Sequence, residues 1–140
     1  MLDNQIIIEK LLKLAKKAFQ RKEVPVSAVI IHNNKIIAQS YNRREKKKSV
    51  CAHAEILAIE KASKKLNRWN LSDCVLFVSL KPCSMCTEVI KQSRLNKVYY
   101  LLDKPSFKNE YNKTTFELLK TLNHSNSYQQ LLSSFFRNMR

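Results

Sequence analysis

No glycine occurs among the 140 residues, so positive-φ turns must fall to residues such as asparagine, which tolerate that conformation better than most. Long apolar runs are missing too. Nothing approaches the roughly 20 residues of a membrane span. The longest early run, Ile6-Ile7-Ile8, is too short for the apolar centre of a secretory signal, and Asp3 and Glu9 argue against a transit peptide. These absences lead to the expectation of a cytoplasmic protein with no membrane attachment. Cysteines number only four, too few for a secreted disulfide scaffold, and two of them share one short motif. Cys74 opens the apolar run Val75-Leu76-Phe77-Val78 and reads as a small core residue.

Acidic residues are scarce. Eleven Asp and Glu face 26 Lys and Arg, a formal charge of +15. Such a surface attracts polyanions and makes their binding salt-dependent. An AT-rich coding sequence would also enrich Lys, Asn and Ile, so charge alone does not fix a partner. The length suits a single domain over residues 1–140 with a genuine core, and chains of this size bury roughly 70% of their unfolded surface. A metal is not needed merely to hold such a chain together.

The apolar pattern alternates between two periods. Ile7, Leu11, Leu14, Ala15 and Ala18 follow a helical repeat over residues 4–21, with lysines largely on a solvated face. Val24-Pro25 ends that helix. Strands are expected at Ser27–His32 and Lys35–Tyr41, joined by a hairpin at Asn33-Asn34, with His32 simply exposed. Residues 42–50 read as a polar connection into a nearly apolar helix, about Ala52 to Leu66. Further strands at Cys74–Leu80 and Lys97–Leu102 flank a helix that starts near Cys83, which suggests parallel pairing through a right-handed crossover. After a polar loop at 103–114 and a helical turn at Thr115–Leu122, a last helix spans about Ser127 to Arg137.

Chemistry concentrates in Pro82-Cys83-Ser84-Met85-Cys86 and Cys51-Ala52-His53-Ala54-Glu55. Two cysteines three apart share one helix face, and a helix N-terminus favours their thiolates. The same spacing also serves redox dithiols. With His53 they make three ligands suited to zinc, leaving a fourth position open, as in catalytic rather than structural sites. Glu55 lies two residues on, placed to carry protons rather than to ligate. His-x-Glu followed by Pro-Cys-x-x-Cys is the known signature of zinc deaminases.

The chain resembles bacterial tRNA-specific adenosine deaminases, within the zinc-dependent cytidine and deoxycytidylate deaminase superfamily. The resemblance rests on Glu23-Val24-Pro25-Val26, Asn42-Arg43, His53-Ala54-Glu55, Pro82-Cys83-Ser84-Met85-Cys86, Ser93-Arg94 and Phe135-Phe136-Arg137. The His-Ala-Glu and Cys-x-Met-Cys pieces are shared with guanine and deoxycytidylate deaminases. It implies a three-layer α/β/α cytidine-deaminase-like fold with a mixed sheet of four or five strands and a C-terminal helix. It further implies one zinc on His53, Cys83 and Cys86 with water completing the set, and Glu55 as proton carrier. Asn42 and Phe136 would contact the nucleotide, the substrate would be a tRNA anticodon stem-loop, and the protein would be a homodimer. The expected reaction is hydrolytic conversion of adenosine to inosine at the wobble position.

Four departures stand out. Lys81 occupies a customary glutamate position, Ser27 a glycine, Leu102 a small residue, and the stretch before the last helix is shortened, as though the last strand were lost. Other readings are a deaminase of a free base or nucleotide, and a zinc-stabilised RNA-binding subunit without catalysis. Glu55 speaks against the latter, since losing that carboxylate is the simplest route to an inert relative. A thiol redox protein would leave His53 and Glu55 unexplained.

Overall fold

Asp3 starts the first helix by accepting a 2.9 Å hydrogen bond from the Ile6 N–H, a cap that satisfies one of the unpaired amides at a helix start. The structure, a computed structural model, describes residues 2–103 and 124–138. These fall in two compact units, one within Met1–Ser106 and the other within Phe107–Arg140. The first holds α1 (Asn4–Gln20), β1 (Ser27–His32), β2 (Lys35–Tyr41), α2 (Arg44–Lys47), α3 (Ala54–Leu66), β3 (Cys74–Leu80), α4 (Ser84–Gln92) and β4 (Lys97–Leu102). The second contributes α5 (His124–Asn138).

The strands form one mixed sheet in the order β2-β1-β3-β4. β1 runs antiparallel to β2 and β3, while β3 and β4 pair in parallel across α4, as the strand–helix–strand pattern predicts. All four strands lie where the apolar runs put them. The expected helical turn at Thr115–Leu122, and any strand between 104 and 123, lie outside the described residues. α5 begins at His124 rather than Ser127, so residues 124–127 supply no strand.

Alternation along the strands divides the core. Ala28 and Ile30 of β1, with Cys74 and Leu76 of β3, pack against Ala54, Ala58, Ile59 and Ala62 of α3 and Ile90 of α4. Val29 and Phe77 face the other way, toward Ile7, Leu11 and Leu14 of α1. The first unit is thus a sheet with a helical layer on each face. A bulge at Ile30/Ile31 leaves Ile37 without a register partner, and Ile37 and Ala38 then both face the α3 side. Ser27 is fully buried, yet its hydroxyl donates to the Leu11 carbonyl at 2.6 Å and its N–H donates to Ser79 Oγ at 2.9 Å. The bulkier replacement for glycine is therefore satisfied rather than merely tolerated.

Three local expectations change. The polar connection contains the short helix α2, because both Glu23 oxygens accept backbone N–H bonds from Glu45 and Lys46 at 2.9 Å. A cap supplied from 22 residues away cannot be read from local pattern. His32 is half-buried and its Nε2 lies 2.9 Å from Asp73 Oδ2, so it is not merely a solvated turn residue. Lys17 is exposed but holds its ammonium 5.9 Å from the Tyr41 ring centroid, so the basic face of α1 is partly engaged.

The missing glycine has a local cost. Among the described residues, Asn33, Asn34 and Asn67 take positive φ, and so do Lys22, Lys48 and Arg94. A left-handed residue with a Cβ costs roughly 1–2 kcal/mol, less for asparagine. Lys48, at φ 49° and ψ 47°, closes α2 in that conformation. Lys48→Gly is expected to stabilise the protein by about 1 kcal/mol in denaturant unfolding. Lys47→Gly, inside α2, is expected to destabilise it by about 0.5–1 kcal/mol. A loss of stability at Lys48 would contradict the strain.

Candidate active site

Two helices start with residues that do not cap them. His53 is the N-cap of α3, at φ −74° and ψ 151°, and Cys83 is the N-cap of α4, at φ −69° and ψ 172°. Neither side chain makes the usual hydrogen bond to its own helix. A Ser, Thr, Asp or Asn there would stabilise each helix by about 0.5–2 kcal/mol. Both side chains turn toward each other instead. His53 Nδ1 lies 3.8 Å from Cys83 Sγ and 3.5 Å from Cys86 Sγ. The surrounding backbone is fixed from β2 and the segment after it: Ser40 Oγ donates to the Ala54 carbonyl at 2.7 Å, and the Arg43 N–H donates to the Ala52 carbonyl at 2.9 Å.

This group can hold a metal. The ligand atoms of His53, Cys83 and Cys86 lie within 4.8 Å of one another. Tetrahedral bonds of about 2.3 Å to sulfur and 2.0–2.1 Å to nitrogen place S and N about 3.6 Å apart. The observed 3.5 and 3.8 Å bracket that value. Burial pushes the Cys86 thiol well above its ordinary range, and the nearby Glu55 carboxylate and Cys83 push it further. A cation binding here must displace that proton, so binding weakens as pH falls. Cys51 is exposed and stands outside the group. Cys74 is a core thiol that burial, then Asp73, pushes up to about 11.

A cavity of about 190 Å³ opens beside the group. Val24, Val26 and Leu80 line it with apolar surface, and Asn42, Arg44 and Lys81 with polar groups. His53, Glu55 and Cys83 also line it. Glu55, the second residue of α3, is only 3% exposed. Its nearness to Cys86 brings the carboxylate to the ligand group although it lies about 200° around the helix from His53. Asn42 is 7% exposed; its N–H donates to the Val26 carbonyl at 3.0 Å and its Oδ1 accepts from the Arg44 N–H at 3.2 Å. Lys81 reaches an exposed, loose ion pair with Asp103 at 3.8 Å. Phe136 sits exposed on α5, in edge contact with Phe135, in the second unit.

The sequence pattern identified the ligand group, Glu55 and Asn42, and placed Arg44 in the basic stretch after Asn42, but it gave Glu23 no role. Glu23 is 5% exposed with both oxygens bonded, the acid that holds one cavity wall in place. Its place in the Glu23-Val24-Pro25-Val26 motif was the available signal.

The MafB19-like deaminase profile matches residues 2–140. The chain belongs to that family. A tRNA-specific adenosine deaminase from Aquifex aeolicus is 39% identical, over 92% of this chain and 91% of its own. Relatives of the same name from Bacillus subtilis and three Rickettsia species are 40–47% identical, and this chain covers 62–66% of their length. A structure from work on A-to-I editing by tRNA:A34 deaminases at the wobble position of transfer RNA aligns with TM-score 0.72 at 36% identity, over 74% of this chain and 80% of its own. Guanine deaminase from Bacillus subtilis aligns with TM-score 0.79 at 26% identity, over 94% of this chain and 95% of its own. For this MafB19-like deaminase, the mixed sheet between helices is the family's cytidine-deaminase-like fold.

Metal analysis of the purified protein is expected to give one divalent ion per chain. Cys83→Ser and His53→Ala should each lose most of it, whereas Cys51→Ser should keep it. Full retention by Cys83→Ser would contradict the three-residue group.

Proposed function

We propose that this chain is a zinc-dependent deaminase that converts adenosine to inosine at the wobble position of a tRNA anticodon, within one domain over residues 1–140. The carrying observation is a buried carboxylate, Glu55, beside a His/Cys/Cys group in a cavity that two cations, Arg44 and Lys81, also line. The relatives named tRNA-specific adenosine deaminase support the substrate.

His53, Cys83 and Cys86 would hold the zinc. When bound, zinc supplies Lewis acidity, which lowers the pKa of a coordinated water from 15.7 toward ~7. Glu55 performs the proton traffic. It accepts a proton from the attacking water and delivers it to N1 of adenine as the new C–O bond forms at C6. It then passes the water's second proton to the departing amine, so that adenosine and water become inosine and ammonia. Such acid–base transfer contributes typically ~10²–10⁴-fold. Asn42 would orient the nucleotide. Its Oδ1 is occupied by Arg44, and its amide N–H₂ has no hydrogen-bond partner among the described residues. Val24, Val26 and Leu80 would hold the base and keep water from its faces. Phe136 would contact neighbouring nucleotides, and the working assembly would be a homodimer acting on an anticodon stem-loop in the cytoplasm. Among the described residues no helix is long and apolar enough to cross a membrane.

The likeness to guanine deaminase supports a second reading, a free-base substrate. Incubation with an anticodon stem-loop, free adenosine and guanine separates the two. The stem-loop is expected to yield inosine, with little turnover of the small molecules; the reverse preference would overturn the proposal. Glu55→Gln should keep its metal and bind the stem-loop while turnover falls by ~10²-fold or more. Near-normal turnover would mean that another group moves the protons.

A further inference from the structure

The wall of the active-site cavity has a second side. Residues 23–24 and 42–46 form it, and they divide between its two sides. Val24, Asn42 and Arg44 line the first cavity, whereas Glu23, Arg43, Glu45 and Lys46 line a larger one of about 700 Å³. Arg21, Lys22 and Tyr41 complete the larger cleft. Lys17 and Arg21 each hold a charge 5.9 Å from the Tyr41 ring centroid, within cation–π reach, so the ring keeps two cations on this side of the sheet.

Charge bookkeeping favours an anion. Arg21, Lys22, Arg43 and Lys46 face two carboxylates, Glu23 and Glu45. Glu23 is buried and has both oxygens on backbone N–H groups, so it serves the wall rather than neutralising the cleft. Among the described residues, none of the four cations forms a salt bridge. Holding them together unpaired costs self-repulsion that a bound polyanion would relieve.

The geometry points to this cleft as a binding site for the phosphodiester backbone of RNA adjoining the nucleotide in the first cavity, with Lys17, Arg21, Lys22, Arg43 and Lys46 as the phosphate contacts. The inference rests on the proposed polynucleotide substrate and assigns part of its hold to the end of α1. A base in one cavity and its neighbouring phosphates in the other would straddle a wall that Glu23 makes rigid. A single small anion would leave most of the cleft unfilled.

The test measures affinity of the metal-loaded chain for a synthetic anticodon stem-loop across about 50–200 mM salt, where counterion release governs binding. Lys17→Gln/Arg21→Gln/Lys22→Gln removes one wall, and Arg43→Gln/Lys46→Gln the other, in case the first triple impairs folding. Lys64→Gln/Lys65→Gln/Lys97→Gln removes as much charge elsewhere as the first triple does in the cleft. Each cleft set should weaken binding roughly tenfold or more and flatten the log–log salt slope by ~1–2 units. At saturating stem-loop, turnover should stay within about twofold of the parent. The distant triple should leave the slope nearly unchanged. Equal losses from cleft and distant sets would mean that binding follows net charge, and no loss from either cleft set would mean that the cleft is unused; either result overturns the inference. Inosine formed by the parent alongside such a result leaves the proposed reaction standing. Absence of inosine from the parent would instead sink the reaction, whatever the slopes.

Discussion

Three side chains must converge from two helix starts, and much of the first unit is arranged to let them. His53 and Cys83 stand at N-caps, where backbone is extended and a side chain can leave its own helix. Cys86 follows one turn into α4 and is fully buried. The sheet sets the separation: α3 and α4 pack on the same face through Ala54, Ala58 and Ile90, and the small alanines allow a close approach. In the absence of a metal this arrangement works against stability. Two caps are forgone, and a buried thiol sits beside a buried carboxylate. Such local conflicts are expected where function rather than folding selected the residues.

A second constraint runs through Glu23. One buried carboxylate holds the start of α2, and with it the segment that offers Asn42 and Arg44 to one cavity and Arg43 and Lys46 to the other. A carboxylate accepting two backbone N–H bonds is a charge-assisted anchor, stronger than a neutral pair. The basic surface thus has at least one organised region, and the charge of +15 is more than a uniform coat.

Legibility in the sequence followed the range of the interactions. Strand limits and the α1 stripe were readable because apolar periodicity is local, and the Asn33-Asn34 hairpin because asparagine accepts positive φ more readily than most residues. The ligand group was readable from residue type and spacing, although the starts of α3 and α4 move inward by one or two residues once His53 and Cys83 serve as N-caps. What escaped depends on contacts distant in the chain: α2 on Glu23, His32 on Asp73, and Lys17 on Tyr41. Lys81 was visible as an unusual cation beside Cys83, and it does line the cavity; the bond from its N–H to the Leu102 carbonyl came only with the β3–β4 pairing.

The central claim is a three-residue metal site with one position left open. X-ray absorption at the metal edge of the purified protein tests it most directly. The account predicts two sulfur neighbours at about 2.3 Å, one imidazole nitrogen near 2.0–2.1 Å, and one further light atom. A shell of four sulfurs, or of protein ligands alone, would contradict it.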